Sequence, residues 1–177
     1  MLLSEHLRAM ARNNAWSNHR LLEACRALTQ DEFEAKRVSF FPSLQATLNH
    51  ILIVDWYYLD ALEQGGRGPA VYANELPFPE LADLATAQAN ADARLIRYCD
   101  ALAEDVLGRG VVIEREDGPT RETVQAVLAH LFVHQIHHRG QAHAMLAGTR
   151  VAPPQLDEFF LAWDLPRRAR ELERLGL

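Results

Sequence analysis

The pattern of apolar and polar positions predicts helices along most of the chain. Between residues 3 and 28, apolar side chains return every three or four positions with charged residues between them, as in an amphipathic helix. A second predicted helix opens at Pro42 and Ser43, where Ser43 can cap it, and ends at Gln64 before two glycines. This second helix is apolar on most sides, so we expect it to lie between neighbouring helices.

Connecting segments separate the predicted helices. Residues 29–41 form a mixed connector, and residues 65–78 form a loop rich in glycine and proline. Because a loop of that length can cross the end of a bundle, the third helix, predicted over 79–107, is expected to lie parallel to the second. Residues 111–113 predict a short extended arm, which leads into a turn at 116–119.

The C-terminal third of the chain completes the predicted architecture. Thr120 is expected to cap a fourth helix, which ends near Ala147 before a glycine. Pro153 and Pro154 then open a segment that carries a short fifth helix. Four long helices with a short extra C-terminal helix predict an all-α four-helix bundle, and the length suits one helical-bundle domain over residues 1–177.

Charge and composition exclude several classes of partner. The net charge is −6, and an acidic surface repels phosphate, so binding to nucleic acid is not expected. No stretch approaches the ~20 apolar residues of a membrane span, so no membrane contact is expected. Cys25 and Cys99 are far apart, so we expect two small buried thiols rather than a disulfide framework. Together with the absence of a signal-peptide pattern, these features predict a cytoplasmic protein.

A cluster of histidines is the strongest indication of chemistry. Four of the eight histidines fall between residues 130 and 138. His134 and His138 are four positions apart, so on a helix they stack on one face and can hold one metal ion. At about 100° per residue, His138 lies inside the apolar stripe and His134 at its edge. His130 and His137 lie further round, more than about 100° from the centre of the stripe.

A lone histidine in an apolar stripe is usually a hydrogen-bonded core residue, and that interpretation stays open for each member of the pair. Two buried imidazoles side by side, however, both need partners for their lone pairs. His50 lies in the second helix among apolar neighbours and offers a third imidazole. Three such ligands suit zinc, nickel, copper or iron, and they leave a coordination position open for exchangeable or catalytic chemistry.

Two familiar types of metal site are excluded by residue type. The HExxH metalloprotease motif needs glutamate after its first histidine, and Gln135 occupies that position. A di-iron bundle needs glutamate three residues before its histidines. Here the three residues at those positions carry no carboxylate: Thr47, Leu131 and Gln135.

Four segments together resemble the DinB/YfiT-like superfamily of metal-dependent bundle proteins. In chain order they are residues 14–22 (NAWSNHRLL), residues 41–52 with FPSL and TLNHIL, residues 134–141 (HQIHHRGQ) and residues 154–160 (PQLDEFF). The resemblance implies an up-down-down-up bundle and a homodimer. It also implies a divalent metal on His50, His134 and His138, with nickel or zinc first and iron or manganese as alternatives.

The resemblance leads to two functional hypotheses. The first is a metal-dependent enzyme, a transferase or hydrolase, which would pass a low-molecular-weight thiol to an electrophile or act on another small molecule. The second is a non-catalytic stress-response protein whose metal is structural or sensory. No residue is assigned a catalytic role under either hypothesis.

Several residues near the histidines carry open alternatives. Arg139 could bind an anionic substrate group or pair with a carboxylate on a neighbouring helix. His137 could support a ligand or be solvated. Gly140 is expected to permit close approach of a helix, because glycine inside a helix is unfavourable. Asp55 lies about 140° around its helix from His50, so a direct bond between them is not expected.

Overall fold

A computed structural model describes residues 2–177. Within this range the chain forms six α-helices and one two-stranded antiparallel hairpin. The helices are α1 (Leu3–Cys25), α2 (Gln30–Glu34), α3 (Leu44–Leu62), α4 (Leu81–Asp100), α5 (Val124–Ala147) and α6 (Leu165–Leu175). The strands are β1 (Gly110–Ile113) and β2 (Thr120–Thr123). None of the described helices is long and apolar enough to cross a membrane.

The long helices α1, α3, α4 and α5 form a four-helix bundle. Helix α1 packs against α4 and α5, and α3 packs against the same two helices, so α1 and α3 lie diagonally across the bundle. Arg12 pairs with Asp100, whereas Asn18 donates to Asp92. Residue numbers on α4 therefore fall as those on α1 rise, and the two helices are antiparallel.

Helices α3 and α4 are parallel. Gln88 donates to Asp55 and Arg94 pairs with Glu63, so residue numbers rise together along both helices. The segment between Leu62 and Leu81 crosses the end of the bundle, as the long glycine- and proline-rich loop predicts. This segment includes a 3-10 helix at Gly68–Ala73.

Helix α5 is antiparallel to α3. Tyr58 packs on His130, and His50 packs on His134, so residue numbers on α5 fall as those on α3 rise. With α1 taken as up, the four long helices run up, down, down and up. The predicted bundle and its direction pattern are confirmed.

The start of α5 differs from the prediction. Thr120 is not the cap of this helix; it is the first residue of β2 and pairs with Ile113. The cap is Thr123, whose hydroxyl accepts a hydrogen bond from the backbone N–H of Ala126 at 3.3 Å. Val111 and Ile113 are buried, so their backbone N–H and C=O groups need hydrogen-bond partners inside the protein. Residues 120–123 provide these partners by pairing with β1 as a second strand.

Two other predicted helices extended too far at their C-terminal ends. Helix α1 ends at Cys25 rather than at 28, and α4 ends at Asp100 rather than at 107. Beyond Asp100 the chain turns through a short 3-10 helix at Glu104–Val106. The predicted connector 29–41 contains helix α2, whose cap Thr29 accepts from the backbone N–H of Glu32.

The bundle interior is layered. One apolar cluster fills the end near the hairpin, and a second fills the end near α2. Between them lies a layer of buried polar side chains, to which each long helix contributes. We refer to this set as the polar layer: Asn14, Asn18, Asp55, Gln88, Asp92, Gln135 and Arg139.

Candidate metal centre

Three histidines converge beside the polar layer. His50 comes from α3, and His134 and His138 come from α5. Each offers one nitrogen, and these nitrogens lie within 4.8 Å of one another. The ring centroids are 5.0 Å apart for His50 and His134, 4.7 Å for His50 and His138, and 4.4 Å for His134 and His138. The structure thus brings together the three residues that helix geometry and the resemblance single out.

Local sequence explains this convergence. Four positions separate His134 from His138, so their side chains project from successive turns of α5 toward the same neighbour. That neighbour is α3, on which His50 stands opposite the pair. His138 is buried, and the other two rings are half-buried, so the group opens toward solvent on one side.

One pair of these nitrogens is spaced as two ligands of a single small cation would be. Two nitrogen ligands at the usual zinc distance, set 90–110° apart, would be separated by about 2.9–3.4 Å. The Nε2 atoms of His50 and His134 are 3.0 Å apart. The Nδ1 atom of His134 is buried and has no hydrogen-bond partner among the described residues. The imidazole of His134 therefore meets only another imidazole nitrogen, and a cation would satisfy the facing lone pairs.

Gln141 orients the ring of His138. Its side-chain oxygen lies 2.8 Å from His138 Nδ1, and an amide oxygen can only accept, so Nδ1 carries the proton. The Nε2 atom of His138 then keeps its lone pair for a metal. The amide nitrogen of Gln141 in turn donates to Nε2 of His137 at 3.1 Å. His137 is exposed, and it meets the site through this hydrogen bond and through its ring, which lies 4.8 Å from that of His138.

Burial keeps the three imidazoles neutral. Burial, and then the charge of the nearby His138, lowers the pKa of His50 to about 4. Burial, followed by the charges of His138 and His50, lowers the pKa of His134 to about 3. The pKa of His138 is also lowered, chiefly by burial. At neutral pH each of the three rings therefore has an unprotonated nitrogen for a cation, because metals bind the neutral imidazole.

Aromatic residues from the segment before α3 cover part of the site. The ring of Phe41 lies 4.3 Å from that of His50 and 5.5 Å from that of His138. Phe40 lies 6.1 Å from His138 and is largely exposed, as is Val38. The result is one covered face on the histidine group, with an apolar rim beside it.

The polar layer holds α3 and α5 together directly behind the histidines. Gln135, which lies between the two histidines of α5 in sequence, is fully buried and donates to Asp55. Gln88 donates to the other oxygen of Asp55 at 2.7 Å. Asp55 thus supports the site through α5 rather than by bonding His50, as its angular position predicts. Burial, and then the charge of Asp92, raises the pKa of Asp55 to about 7.

Arg139 connects the layer to α1. Its guanidinium donates to the side-chain oxygens of Asn14 and Asn18, and their amide nitrogens both donate to Asp92. Neither prediction for Arg139 holds, because its direct partners are neutral amides. Burial lowers the pKa of Arg139 to about 10 and raises that of Asp92 to about 6. The layer therefore encloses one cation and two carboxyls.

The remaining histidines of α5, Gly140 and the two cysteines are not part of the histidine group. His130 is exposed, and His143 bonds the backbone oxygen of Pro154 instead. Gly140 is exposed, and nothing within this chain lies within 4 Å of a Cβ placed there, so the predicted close helix approach is wrong within the chain. Cys25 and Cys99 are buried free thiols, as predicted.

Sequence reasoning assigned no role to Gln141 or Phe41. Gln141 is three positions after His138, which places the two on the same helix face, and that spacing was the available signal. Phe41 precedes α3 in an irregular segment, and no periodic pattern predicts where such a side chain points.

The comparisons with known proteins agree with this architecture. The sequence pattern of the DinB family matches residues 3–170, and the chain belongs to this family. A DinB-like protein from Bacillus cereus superposes with a TM-score of 0.60 at 15% identity, over 79% of this chain and 90% of that one. The DinB-like protein YjoA from Bacillus subtilis gives 0.60 at 18% identity, over 83% and 96%. No curated protein matches the chain.

Proposed function

We propose that this protein binds one divalent metal ion through His50, His134 and His138. The observation that carries the proposal is the convergence of three neutral imidazoles from two helices, with nitrogens within 4.8 Å of one another. Three imidazoles suit zinc, nickel, copper or iron, and the family resemblance favours nickel or zinc, with iron or manganese as alternatives. Three protein ligands leave at least one coordination position for an exchangeable group.

The site suits a metal-dependent enzyme that transfers a low-molecular-weight thiol to an electrophile. A bound divalent cation would lower the pKa of a thiol or of water at the open position. The protein's own residues hold and orient the donors: Gln141 sets the protonation of His138, and Gln135 fixes α5 against α3. Phe41 keeps water from one face, and exposed Phe40 offers an apolar surface to an electrophile.

Metal titration of two matched variants tests the binding site. We expect the purified protein to bind one equivalent of zinc or nickel in calorimetry. His134→Ala should reduce the affinity at least tenfold, whereas His130→Ala, which removes an exposed histidine from the same helix, should leave it unchanged. Equal affinities for the two variants would reject the site.

A thiol-transfer screen tests the enzymatic part of the proposal. The metal-loaded protein is assayed with several small thiols and a chromogenic electrophile. Activity that survives His50→Ala, in a variant with native circular dichroism, would reject a mechanism that depends on the metal.

A second candidate is a non-catalytic stress-response protein with a structural or sensory metal. The burial of His138 and the close contact of Phe41 with the ligand rings favour it, because they restrict access from one side. This candidate predicts no turnover and a melting temperature that rises with metal concentration, since the ion would bind only the folded state. A melting temperature unaffected by metal would exclude the structural form.

The outer surface of α5 supports a homodimer. Along 126–147, seven outward positions are all exposed and carry no charge or polar side chain: Ala126, Ala129, Val133, Ile136, Gly140, Ala144 and Ala147. An uncharged helix face can pack against its own copy about a two-fold axis. Light scattering should show a dimer that Ile136→Glu dissociates and that Val112→Glu, at an exposed position on β1, leaves intact. A monomeric native protein would contradict this assembly.

A further inference from the structure

A small cavity lies on the hairpin side of the histidine group. It has a volume of about 250 Å³, lies between the hairpin and helices α3 and α5, and is open to solvent, so Arg115, Glu122 and His130 are exposed. Its polar wall consists of Tyr58, Arg115, Glu122 and His130, and apolar side chains of β1 and α5 complete it. The cavity therefore combines a guanidinium, a carboxylate, a phenol and an imidazole in a small volume.

The hairpin register places the two charges on the same face. Val111 pairs with Glu122, and directly opposed residues in a sheet point to the same side. Side chains alternate along a strand, so Ile113 also shares this side, and the following Arg115 lines the cavity with it. Arg115 is fixed there by the hydrogen bond from its Nε to Thr120 Oγ1 at 3.2 Å.

Arg115 and Glu122 do not neutralise each other. Six other arginines of the described chain form ion pairs, but neither Arg115 nor Glu122 forms one within residues 2–177. Two opposite charges that line one cavity without pairing can each accept a complementary group from a ligand. The acidic residues beside Arg115 in sequence, Glu114 and Glu116, disfavour a ligand that carries only negative charge.

The cavity lies one turn of α5 away from the metal centre, with the ring of His130 between them. The ring of His130 is 5.0 Å from that of Tyr58 in the cavity wall and 6.3 Å from that of His134. His130 and His134 are one turn apart, about 6 Å along the helix axis. A ligand held in the cavity by a head group could therefore reach the histidine group with a short side chain.

We propose that this cavity binds the zwitterionic head group of an α-amino acid or a close derivative. Its carboxylate lies against the guanidinium of Arg115, and its ammonium group lies against the carboxylate of Glu122. The side chain of the ligand extends past His130 toward His134. The contacts of the head group need no metal. This inference therefore rests on the proposed metal site only in placing the side chain of the ligand near a bound ion.

Calorimetry on the metal-free 177-residue protein tests the head-group site separately from the metal site. The probe is S-methyl-L-cysteine, whose thioether avoids thiol oxidation. Two analogues each lack one charge: 2-(methylthio)ethylamine has no carboxylate, and 3-(methylthio)propionate has no ammonium group. We expect both analogues to bind at least about tenfold more weakly, a loss of about 1.4 kcal/mol.

Variants of the two charged residues provide the second arm. Arg115→Gln and Glu122→Gln should each weaken binding of S-methyl-L-cysteine at least about tenfold. Arg121→Gln is the matched control, because Arg121 lies on the opposite face of β2 and should leave affinity within about twofold. If a variant fails to fold, the ligand series on the native protein decides alone.

The outcomes separate the two proposals. Equal affinity for the zwitterion and its analogues, or equal effects of Arg115→Gln and Arg121→Gln, would overturn the head-group site. Zinc titration of the same preparations reports on the metal site independently. Loss of zinc binding in His134→Ala with retained probe binding would support both assignments.

Discussion

Replacement of Arg139 by methionine removes the single cation of the polar layer. The methionine side chain is uncharged and ends near the position of the arginine Nε, so the variant removes the guanidinium and leaves the carboxyls of Asp55 and Asp92 buried without a positive neighbour. Removing one partner of a buried charged group costs about 3–5 kcal/mol, because the remaining charge is uncompensated. In this protein the cost can be smaller, because each carboxyl can bind a proton and become neutral.

The pKa values set the size of the effect. A pH of 8 is one unit above the pKa of Asp55, which is about 7, and two units above the pKa of Asp92, which is about 6. Protonating both costs three units at 1.36 kcal/mol each, about 4 kcal/mol. At pH 5.5 both carboxyls are already largely protonated, so this penalty vanishes. Only the lost hydrogen bonds to the Asn14, Asn18 and Gln135 oxygens remain, about 1–3 kcal/mol.

Urea unfolding at pH 8 and pH 5.5 measures both values. Raised carboxyl pKa values favour the folded state below the unfolded pKa, and that contribution is lost as pH rises through the folded pKa. The destabilisation by Arg139→Met should therefore grow with pH. Arg94→Met is the control: it removes a half-exposed pair with Glu63 and should cost under about 1 kcal/mol at either pH. Equal losses for Arg139→Met at the two pH values would refute this account.

Three further results are expected. In the metal-free protein the lowered pKa values of His50 and His134 favour the folded state above pH 6.5, and this contribution is lost as the pH falls through about 4 and 3. His134→Ala should therefore make the free energy of unfolding depend less on pH in this range, and an unchanged pH dependence would contradict these shifts. Thr123→Ala should cost about 1 kcal/mol in thermal unfolding, and Thr120→Ala clearly less, because only Thr123 caps α5. Gly140→Ala should raise the stability of the monomer by about 1 kcal/mol, and a loss would reveal a neighbour at this exposed position.

Much of the bundle follows from the sequence because helical periodicity is a local signal. The repeat of apolar positions in α1 and α3, the cap at Ser43 and the stop after α3 all act within a few residues. The parallel pair α3 and α4 followed from the length of one loop. Thr120 was misassigned because two threonines offer equal caps, and only pairing with β1 selects Thr123.

The histidine group was predictable for a similar reason. Spacing along α5 selected His134 and His138, and the apolar surroundings of His50 selected the third residue. Its surroundings were not predictable, because they depend on contacts between distant segments. Gln135 bonds Asp55 across 80 residues of sequence, and Arg139 bonds Asn14 across 125.

The placement of Gln135 has a consequence for how an ion would enter and leave. The hydrogen bonds between helices that align the imidazoles are made by amides and carboxyls, so the geometry of the three histidines does not depend on a bound ion. Such a receptor can be loaded and emptied without refolding of its walls. Occupancy would then follow the supply of metal in the surroundings, and the protein would exchange one ion for another as that supply changes.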